Sequence, residues 1–265
     1  LQTIHDDQQP EDAAKLTYDL YTRGADAIII QDMGLLECDL PPIAMHASTQ
    51  CHNNSLEKLQ FLEKVGFKRA VLAREMSLRK IENICNNTKM EIECFIHGSL
   101  CVSYSGQCYM SYAIGGRSAN KGECAQPCRK KYSLIDKNGQ MLQRDRHLLC
   151  LKDLNLSEHL LNLINANVTS FKIEGRLKDV PYVKNVVGFY RNKIDELIKD
   201  TSYKKSSQGL IYLGFEPDLN KTFNRNYTNY FLSGKNKDIA SLNTPMVTGE
   251  VMGIDKSFGL AFAKS

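Results

Sequence analysis

The sequence predicts an α/β fold built from parallel βαβ units. Short apolar runs rich in isoleucine, valine and alanine alternate with longer segments in which apolar residues recur at helical spacing. Glycine, proline or a capping residue separates most of these segments, as expected at the ends of helices and strands. Such alternation is typical of parallel sheets, because a crossover connection, usually a helix, must return the chain to the start of the next strand.

The predicted elements follow one another regularly along the chain. Helical periodicity, with serine or aspartate caps before several segments, predicts helices over residues 11–23, 55–65, 77–85, 157–165 and 179–199. Apolar runs predict strands over residues 26–32, 43–49, 69–73, 92–96 and 168–173. A closed βα barrel needs eight strands. The sequence therefore predicts part of a barrel, incomplete in this chain.

Polar side chains lie near the end of each predicted strand. They are Gln31 and Asp32, His46 with Ser48 and Thr49, Arg74 and Glu75, His97, and Lys172 with Glu174 and Arg176. In βα barrels the active site lies at the carboxyl ends of the strands. A single polar residue at such a place often only begins a loop. Five groups at five strand ends predict an active site along this edge.

A cysteine-rich segment between residues 98 and 150 interrupts the alternation. It is too polar and too rich in turn residues for a packed helix or strand, yet four of the nine cysteines, Cys101, Cys108, Cys124 and Cys128, lie within its residues 101–128. Four thiolates around one centre would stabilise it, because soft sulfur ligands select zinc or iron–sulfur clusters. The spacing leaves both metals open, and so does the alternative that these are reduced thiols packed as small apolar side chains.

Three runs in and after this segment resemble the signature of the collagenase-like peptidase family U32. They are GSLCVSYSGQCYMS at 98–111, GRSANKGECAQPCR at 116–129 and SFKIEGRLKDVPYVKNVV at 170–187. A further likeness to the RNA-hydroxylating members of that family lies in residues 147–153, 206–209 and 221–234. The resemblance implies a TIM-like (β/α) barrel whose first two or so βα units lie upstream of Leu1.

The resemblance also implies an activity and a cofactor. It points to an RNA-modifying enzyme that hydroxylates C5 of a pyrimidine, with cytidine in 23S rRNA as the first candidate. Side chains alone do not readily oxidise this carbon. A [4Fe-4S] cluster on Cys101, Cys108, Cys124 and Cys128 is the implied redox centre, with zinc as the alternative metal, and a small carboxylate such as prephenate is the implied hydroxyl donor.

Roles for the strand-end residues follow as hypotheses. Histidine and carboxylates transfer protons near neutral pH, and arginine and lysine bind carboxylates or RNA phosphates. The predicted catalytic residues are His97, Glu75, Glu174 and Arg176. The predicted substrate-binding residues are Arg74, Lys172, His46 and Gln31.

Other functions remain open on the sequence alone. A collagenase-like peptidase is one, although the chain has no Gly-x-Ser-x-Gly and no His-Glu-x-x-His motif, which leaves a Cys101–His97 pair as its candidate. Hydroxylation of tRNA uridine, a partner in a quinone pathway and a zinc-stabilised scaffold are the others. Cys150 either replaces Cys128 as a ligand or is a buried cysteine where the family pattern has serine.

Composition sets limits on the cellular context. The net charge of +4 permits contact with RNA without demanding it. No apolar run approaches the roughly 18 residues that span a bilayer, and the polar first residues do not resemble a signal peptide. We therefore expect a cytoplasmic protein with no membrane partner, whose cysteines are reduced or metal-bound.

The chain is predicted to divide into two regions. Residues 1–202 form the partial (β/α) barrel with its cysteine-rich insertion at 98–150. Residues 203–265 form a linker and a truncated C-terminal β module, because the composition shifts towards Lys, Asn, Ser and Thr after residue 203 and the last residues read as the first strands of a small sheet.

Overall fold

The computed structural model of the protein describes residues 9–199, 201–203, 211–241, 250–255 and 260–264. The helices are α1 (Gln9–Thr22), α2 (Leu56–Lys64), α3 (Leu78–Asn86), α4 (Met110–Gly115), α5 (Leu160–Asn165) and α6 (Val180–Ile198). The strands are β1 (Ala27–Ile30), β2 (Ala44–Ala47), β3 (Arg69–Val71), β4 (Glu91–Gly98), β5 (Tyr132–Ile135), β6 (Met141–Arg146), β7 (Asp153–Asn155), β8 (Ser170–Ile173), β9 (Tyr227–Thr228), β10 (Glu250–Asp255) and β11 (Leu260–Lys264). Each predicted helix and strand is present, with ends shifted by at most three residues.

The main sheet is built around β4. Strands β1, β2, β3, β4 and β8 pair in parallel in that spatial order. Near its carboxyl end β4 also pairs with the short antiparallel strand β7, at His97 and Gly98, and β7 in turn pairs in parallel with β9. The described residues thus form a mixed α/β fold with an open, mainly parallel sheet, and they do not close into a barrel.

Strand β4 is buried along both of its faces. Alternate residues of a strand point to opposite faces, and here one face holds apolar side chains while the other holds a carboxylate, an aromatic ring and an imidazole: Ile92, Cys94 and Ile96, then Glu93, Phe95 and His97. The first set lies in the hydrophobic core together with Leu59, Ile81 and Leu163 of the helices. The second set places the polar side chains of Glu93 and His97 on the other face, beside Phe95, which also belongs to the core.

The cysteine-rich insertion contains regular structure that the sequence pattern did not predict. Helix α4 lies within it, and β5 and β6 form a separate antiparallel hairpin. The hairpin strands are almost wholly exposed to solvent. Because neither face is buried, their sequence carries no clear alternation of apolar and polar residues, and periodicity cannot reveal them.

Part of the region after residue 203 packs on the main sheet. Leu219, Tyr230 and Leu232 are buried in the same core as the strands and helices before it. Strands β10 and β11 pair as an antiparallel hairpin where a small β module was predicted, and the 206–209 motif lies outside the described residues. The division at residue 203 stays a prediction. Among the helices described, none has the length and apolar character needed to cross a bilayer.

Candidate active site

The loop between Cys101 and Cys108 is docked on the carboxyl edge of the sheet through Ser105 and Gly106. The amide of Gly106 donates a hydrogen bond to Oε1 of Gln50 at 3.1 Å. A Cβ atom on Gly106 would lie 1.9 Å from the carbonyl oxygen of Gln50, and φ is +74°. Only glycine adopts this conformation at so short a separation without strain, so the two backbones can meet here.

Arg129 anchors the other end of the insertion. It directly follows Cys128, and its guanidinium donates hydrogen bonds to the carbonyl oxygens of Leu100 at 2.6 Å and Leu151 at 2.8 Å. It also lies 3.2 Å from the sulfur of Cys150, which is fully buried. The planar fork of arginine suits such a multiple contact. The second pair of cysteines is therefore tied to the end of β4.

Three of the four predicted ligands, Cys101, Cys124 and Cys128, line one cavity of about 1290 Å³. Burial raises the pKa of Cys128 to about 11, with further contributions from Cys101, Cys124 and Cys108 that are partly offset by Arg129. The pKa of Cys101 is also raised, first by burial, and the charges of Cys108 and Cys124 act on it. The other cysteines thus contribute to the raised pKa of both Cys101 and Cys128, which indicates that the four lie in one neighbourhood.

The four cysteine sulfurs are donors that both zinc and iron–sulfur clusters take, so the choice of metal stays a prediction. No three His, Cys, Asp or Glu side chains within the described ranges are arranged to hold one metal ion. The thiolates of a [4Fe-4S] cluster bind different iron atoms and need not converge on one point. Backbone amides of Ser103 and Gln126 hydrogen-bond to the sulfurs of Cys101 and Cys124, the latter at 3.3 Å. Such N–H···S contacts are among those that tune cluster potentials.

The cavity is strongly cationic. Among the described residues that line it, two carboxylates, Glu174 and Asp179, stand against seven cationic side chains, which gives a formal charge of +5: Arg74, Arg129, Arg176, Lys178, Lys184, Lys221 and Arg225. This exceeds the net charge of the whole chain, +4. A positively lined cleft attracts anions and concentrates them near its walls. A thiolate-held cluster and a phosphorylated or carboxylated substrate are both anions.

Arg74 and Glu174 form an ion pair that lines the same cavity as Cys101. Their side chains are 3.4 Å apart, and the guanidinium of Arg74 lies 3.8 Å above the ring of Phe95. Nε of Arg74 is buried without a hydrogen-bond partner among the described residues, and burial lowers the pKa of Arg74. A Cβ atom at Gly98 would lie 2.5 Å from the carbonyl oxygen of Glu174, so glycine at the end of β4 permits this close approach.

Arg176 connects the end of β8 with the cysteine-rich insertion. Its amide donates to Oε1 of Glu174 at 3.0 Å, and its guanidinium donates to the carbonyl oxygen of Gly122 at 3.0 Å. The cavity thus brings together six of the twelve predicted site residues: Arg74, Cys101, Cys124, Cys128, Glu174 and Arg176. Their roles stay predictions.

Two other predicted site residues, Glu75 and Gln31, do not line the cavity. The carboxylate of Glu75 lies 3.4 Å from Nδ1 of His52 and 3.4 Å from the amide of Ser105. Glu75 therefore contacts the docked loop between Cys101 and Cys108 through the amide of Ser105. Gln31 is buried, and its side-chain oxygen has no partner among the described residues.

Lys172 and His46 belong to a separate charged network centred on Glu93. The carboxylate of Glu93 accepts from Lys172 at 2.9 Å and Ser170 at 2.8 Å, and lies 3.3 Å from Arg69. Burial alone would raise the pKa of Glu93, but the hydrogen bond and charge of Lys172 bring it below its usual range. The pKa of His46 is lowered by burial and then by Arg69. Neither residue lines the cavity.

His97 is enclosed by aromatic rings instead of facing the cavity. It is 1% exposed, and the rings of Tyr182, Tyr190 and Tyr227 surround it at centroid distances of 6.2, 5.4 and 5.5 Å. Nδ1 lies 3.2 Å from the hydroxyl oxygen of Tyr190. Burial, and then the charge of Lys178, lowers the pKa of His97 to about 4. The imidazole is therefore neutral at pH 7.

We expect the stability of the protein to fall between pH 6.5 and pH 4 because of His97. The unfolded chain binds a proton at its ordinary pKa of 6.5, whereas the native imidazole does not until about pH 4, so stability rises with pH in this window. Urea unfolding should lose roughly 2 to 3 kcal/mol more from pH 7.5 to pH 4.5 in the wild type than in His97→Gln. An equal loss in both proteins would contradict a buried neutral histidine.

Two features of this region escaped prediction from the sequence. The buried ion pair between Asp153 and Arg225, at 3.1 Å, joins β7 to the segment before β9. Lys178 packs on the ring of Phe223, with its ammonium 3.9 Å from the ring centroid. Both contacts join segments that are far apart in sequence, so no local sequence pattern predicts them. The signal that was available is that Asp153 and Arg225 each lie in a motif of the family resemblance.

Comparisons with known proteins agree with that resemblance. The model of peptidase family U32 matches residues 1–241. The chain is 47% identical to the 23S rRNA 5-hydroxycytidine C2501 synthase of Escherichia coli (strain K12), over 96% of this chain and 39% of that protein. It is 37% identical to an uncharacterized protease of Methanocaldococcus jannaschii, over 80% of this chain and 53% of that protein.

The name of a third relative refers to hydroxylation of tRNA. The chain is 34% identical to tRNA hydroxylation protein P1 of Bacillus subtilis (strain 168), over 73% of this chain and 46% of that protein. The chain thus spans about half the length, or less, of these three relatives. The match of the family model extends across the sheet, the cysteine-rich insertion and the cavity. On that basis the chain belongs to peptidase family U32.

Proposed function

We propose that this chain forms part of an iron–sulfur-dependent enzyme that hydroxylates C5 of a pyrimidine in RNA, with cytidine of 23S rRNA as the best-supported substrate. One observation carries the proposal: three cysteines share a cavity of formal charge +5 with Arg74, Glu174 and Arg176. Relatives named for rRNA and tRNA hydroxylation support RNA as the substrate class. The enzyme is proposed to act in the cytoplasm.

Cys101, Cys108, Cys124 and Cys128 would hold a [4Fe-4S] cluster. When bound, the cluster would supply the electron transfer that protein side chains lack. The insertion presents these thiols at the carboxyl edge of the parallel sheet, the edge at which active sites of βα barrels lie. We infer from this placement that the open sheet is one part of a TIM-like barrel.

The chain's own groups would bind and orient the reactants. The desolvated guanidinium of Arg74 is suited to a carboxylate of a small hydroxyl donor such as prephenate, because Nε has no partner among the described residues and charge-assisted hydrogen bonds are strong in a buried site. Glu174, beside Arg74 and hydrogen-bonded to the amide of Arg176, is placed to accept the proton that leaves C5. Arg176 would hold the phosphate or carboxylate at the edge of the insertion.

Metal content tests the proposal directly. Protein prepared without oxygen should contain about four irons and about four acid-labile sulfides per chain, with charge-transfer absorbance in the visible range. We expect Cys101→Ser, Cys108→Ser, Cys124→Ser and Cys128→Ser each to lower iron content severalfold and to abolish hydroxylation. Cys38→Ser is the matched control, because Cys38 is a partly buried thiol outside the insertion.

The substrate is tested separately by nucleoside mass spectrometry of rRNA and tRNA from cells that lack the gene. Loss of 5-hydroxycytidine from 23S rRNA is the expected result, and loss of a hydroxylated uridine from tRNA would move the assignment to tRNA. Zinc without iron or sulfide in the purified protein, or unchanged iron in all four cysteine variants, would refute the iron–sulfur proposal.

A further inference from the structure

The wall of the cavity formed by α6 and the segment before β9 carries a group of cations. We call these residues the basic wall: Lys178, Lys184, Lys221 and Arg225. Asn185 and Asp218 hold its two halves together through two reciprocal hydrogen bonds, one from the Asn185 side chain to the carbonyl oxygen of Asp218 at 2.7 Å and one from the Asp218 amide back to Asn185 at 2.9 Å. The wall is therefore an ordered surface, because hydrogen bonds fix the two segments that form it to each other.

Most of this positive charge has no anionic partner inside the protein. Within the part of the chain that the structure describes, no carboxylate forms an ion pair with Lys178, Lys184 or Lys221. Asp179 lines the same wall, but its carboxylate accepts from the amide of Tyr182 at 2.9 Å and caps α6. Three lysines therefore face the cavity with their charge available to a ligand.

Lys178 is held in place for such contact. Its ammonium lies 3.9 Å from the ring centroid of Phe223 and 4.8 Å from that of Tyr182, and the guanidinium of Arg225 lies 4.8 Å from Phe223. Cation–π contacts keep a charged group on an aromatic face without neutralising it. The wall thus presents an oriented cation next to apolar surface.

We propose that the basic wall binds the sugar–phosphate backbone of the substrate RNA while the target pyrimidine enters the cavity. This inference rests on the proposed function. The cavity rim adds large apolar side chains that are unusually exposed, Leu177 at 84%, Val180 at 65% and Phe215 at 45%. A nucleotide has both a phosphate for the lysines and a flat base for these apolar groups, whereas a small inorganic anion uses only the first.

Salt-dependent RNA binding tests the inference. The probe is a short fluorescein-labelled single-stranded oligocytidylate, measured by fluorescence anisotropy over a range of KCl concentrations. Each lost phosphate contact lowers the slope of log K against log[salt] by about 0.7 for single strands. We therefore expect Lys184→Gln/Lys221→Gln to lower the slope by about 1.4 and to weaken binding about tenfold at low salt.

Lys64→Gln/Lys80→Gln is the matched control. Both lysines are exposed, lie on or at α2 and α3, and do not line the cavity. The control should keep the wild-type slope, and unchanged thermal unfolding should verify that both double variants are folded. Equal slopes for wild type, wall variant and control would overturn the inference. A wall variant that keeps its RNA slope but is no longer stabilised against thermal unfolding by inorganic phosphate would also overturn the inference. The wall would then bind a small anion and not RNA.

The outcome separates this inference from the proposed function. Binding is to be measured with wild-type protein and with Cys124→Ser, which is expected to lack iron. If iron and hydroxylation are absent but the slope depends on Lys184 and Lys221, the proposed enzyme fails and the RNA-binding wall stands. If iron and hydroxylation are present but the salt slope is the same with and without Lys184 and Lys221, only the inference that the basic wall binds RNA is refuted.

Discussion

Gly106→Ala should detach the loop between Cys101 and Cys108 from the sheet and lower the iron content of the protein at least severalfold. The added methyl group would lie 1.9 Å from the carbonyl oxygen of Gln50, and backbone cannot move aside as a side chain can. A non-glycine residue at φ +74° adds strain. Together these costs come to about 3 kcal/mol or more, which exceeds what the hydrogen bond from Gly106 to Gln50 contributes.

Gly116→Ala is the control for the backbone strain. Gly116 lies in the same insertion at φ +71°, and nothing lies within 4 Å of the position that a Cβ atom would take there. It should cost only about 1 kcal/mol and leave iron content unchanged. Iron per chain and the rate of proteolytic cleavage near residue 106 are the measurements. Equal iron content in Gly106→Ala and Gly116→Ala would show that the contact with Gln50 does not hold the loop.

Asp153→Ala should destabilise the protein strongly, because it removes the anionic half of a buried ion pair. The side chain of Asp153 is 4% exposed and that of Arg225 is 13% exposed, with 3.1 Å between the charged atoms. The second oxygen of Asp153 also accepts from the amide of Arg225 at 3.1 Å. Removal leaves a buried guanidinium unpaired, and breaking a buried pair in this way costs about 3 to 5 kcal/mol.

The neighbouring Asp238 supplies the comparison. It pairs with Lys152 at 2.6 Å, but its side chain is 82% exposed, so Asp238→Ala should cost about 1 kcal/mol or less. Urea unfolding at pH 7 measures both losses. Adding Arg225→Leu to Asp153→Ala should recover part of the stability, since no uncompensated charge then remains buried. A similar small loss for both aspartates would mean that water reaches Arg225.

The regular elements could be anticipated, and the cysteine site could be put forward as a hypothesis, for a local reason. Residues 55–65 and 92–96 carry their caps and periodicity within a few positions, so helix α2 and strand β4 follow from short-range pattern. The four cysteines stood out because a polar, turn-rich segment has no other obvious source of stability. Both kinds of inference use information that lies within one stretch of chain.

What could not be anticipated depends on contacts between distant segments. Lys172 ends a predicted strand as Glu174 does, yet Lys172 pairs with Glu93 over the sheet while Glu174 reaches Arg74 in the cavity. The two residues differ by one full strand period, so position alone predicts the same face for both. Likewise His97 was expected to transfer protons, and only the packing of α6 shows that tyrosine rings enclose it.

The guanidinium of Arg129 holds the cysteine-rich insertion without the help of a metal. Its hydrogen bonds to Leu100 and Leu151, like the contact of Gly106 with Gln50, use no sulfur atom. The insertion is therefore fastened to its scaffold by bonds that would remain if the proposed cluster were lost. Whereas a zinc finger unfolds once its ion is removed, this chain should keep its insertion ordered, so that a cluster damaged by oxidants would be replaced without refolding of the protein.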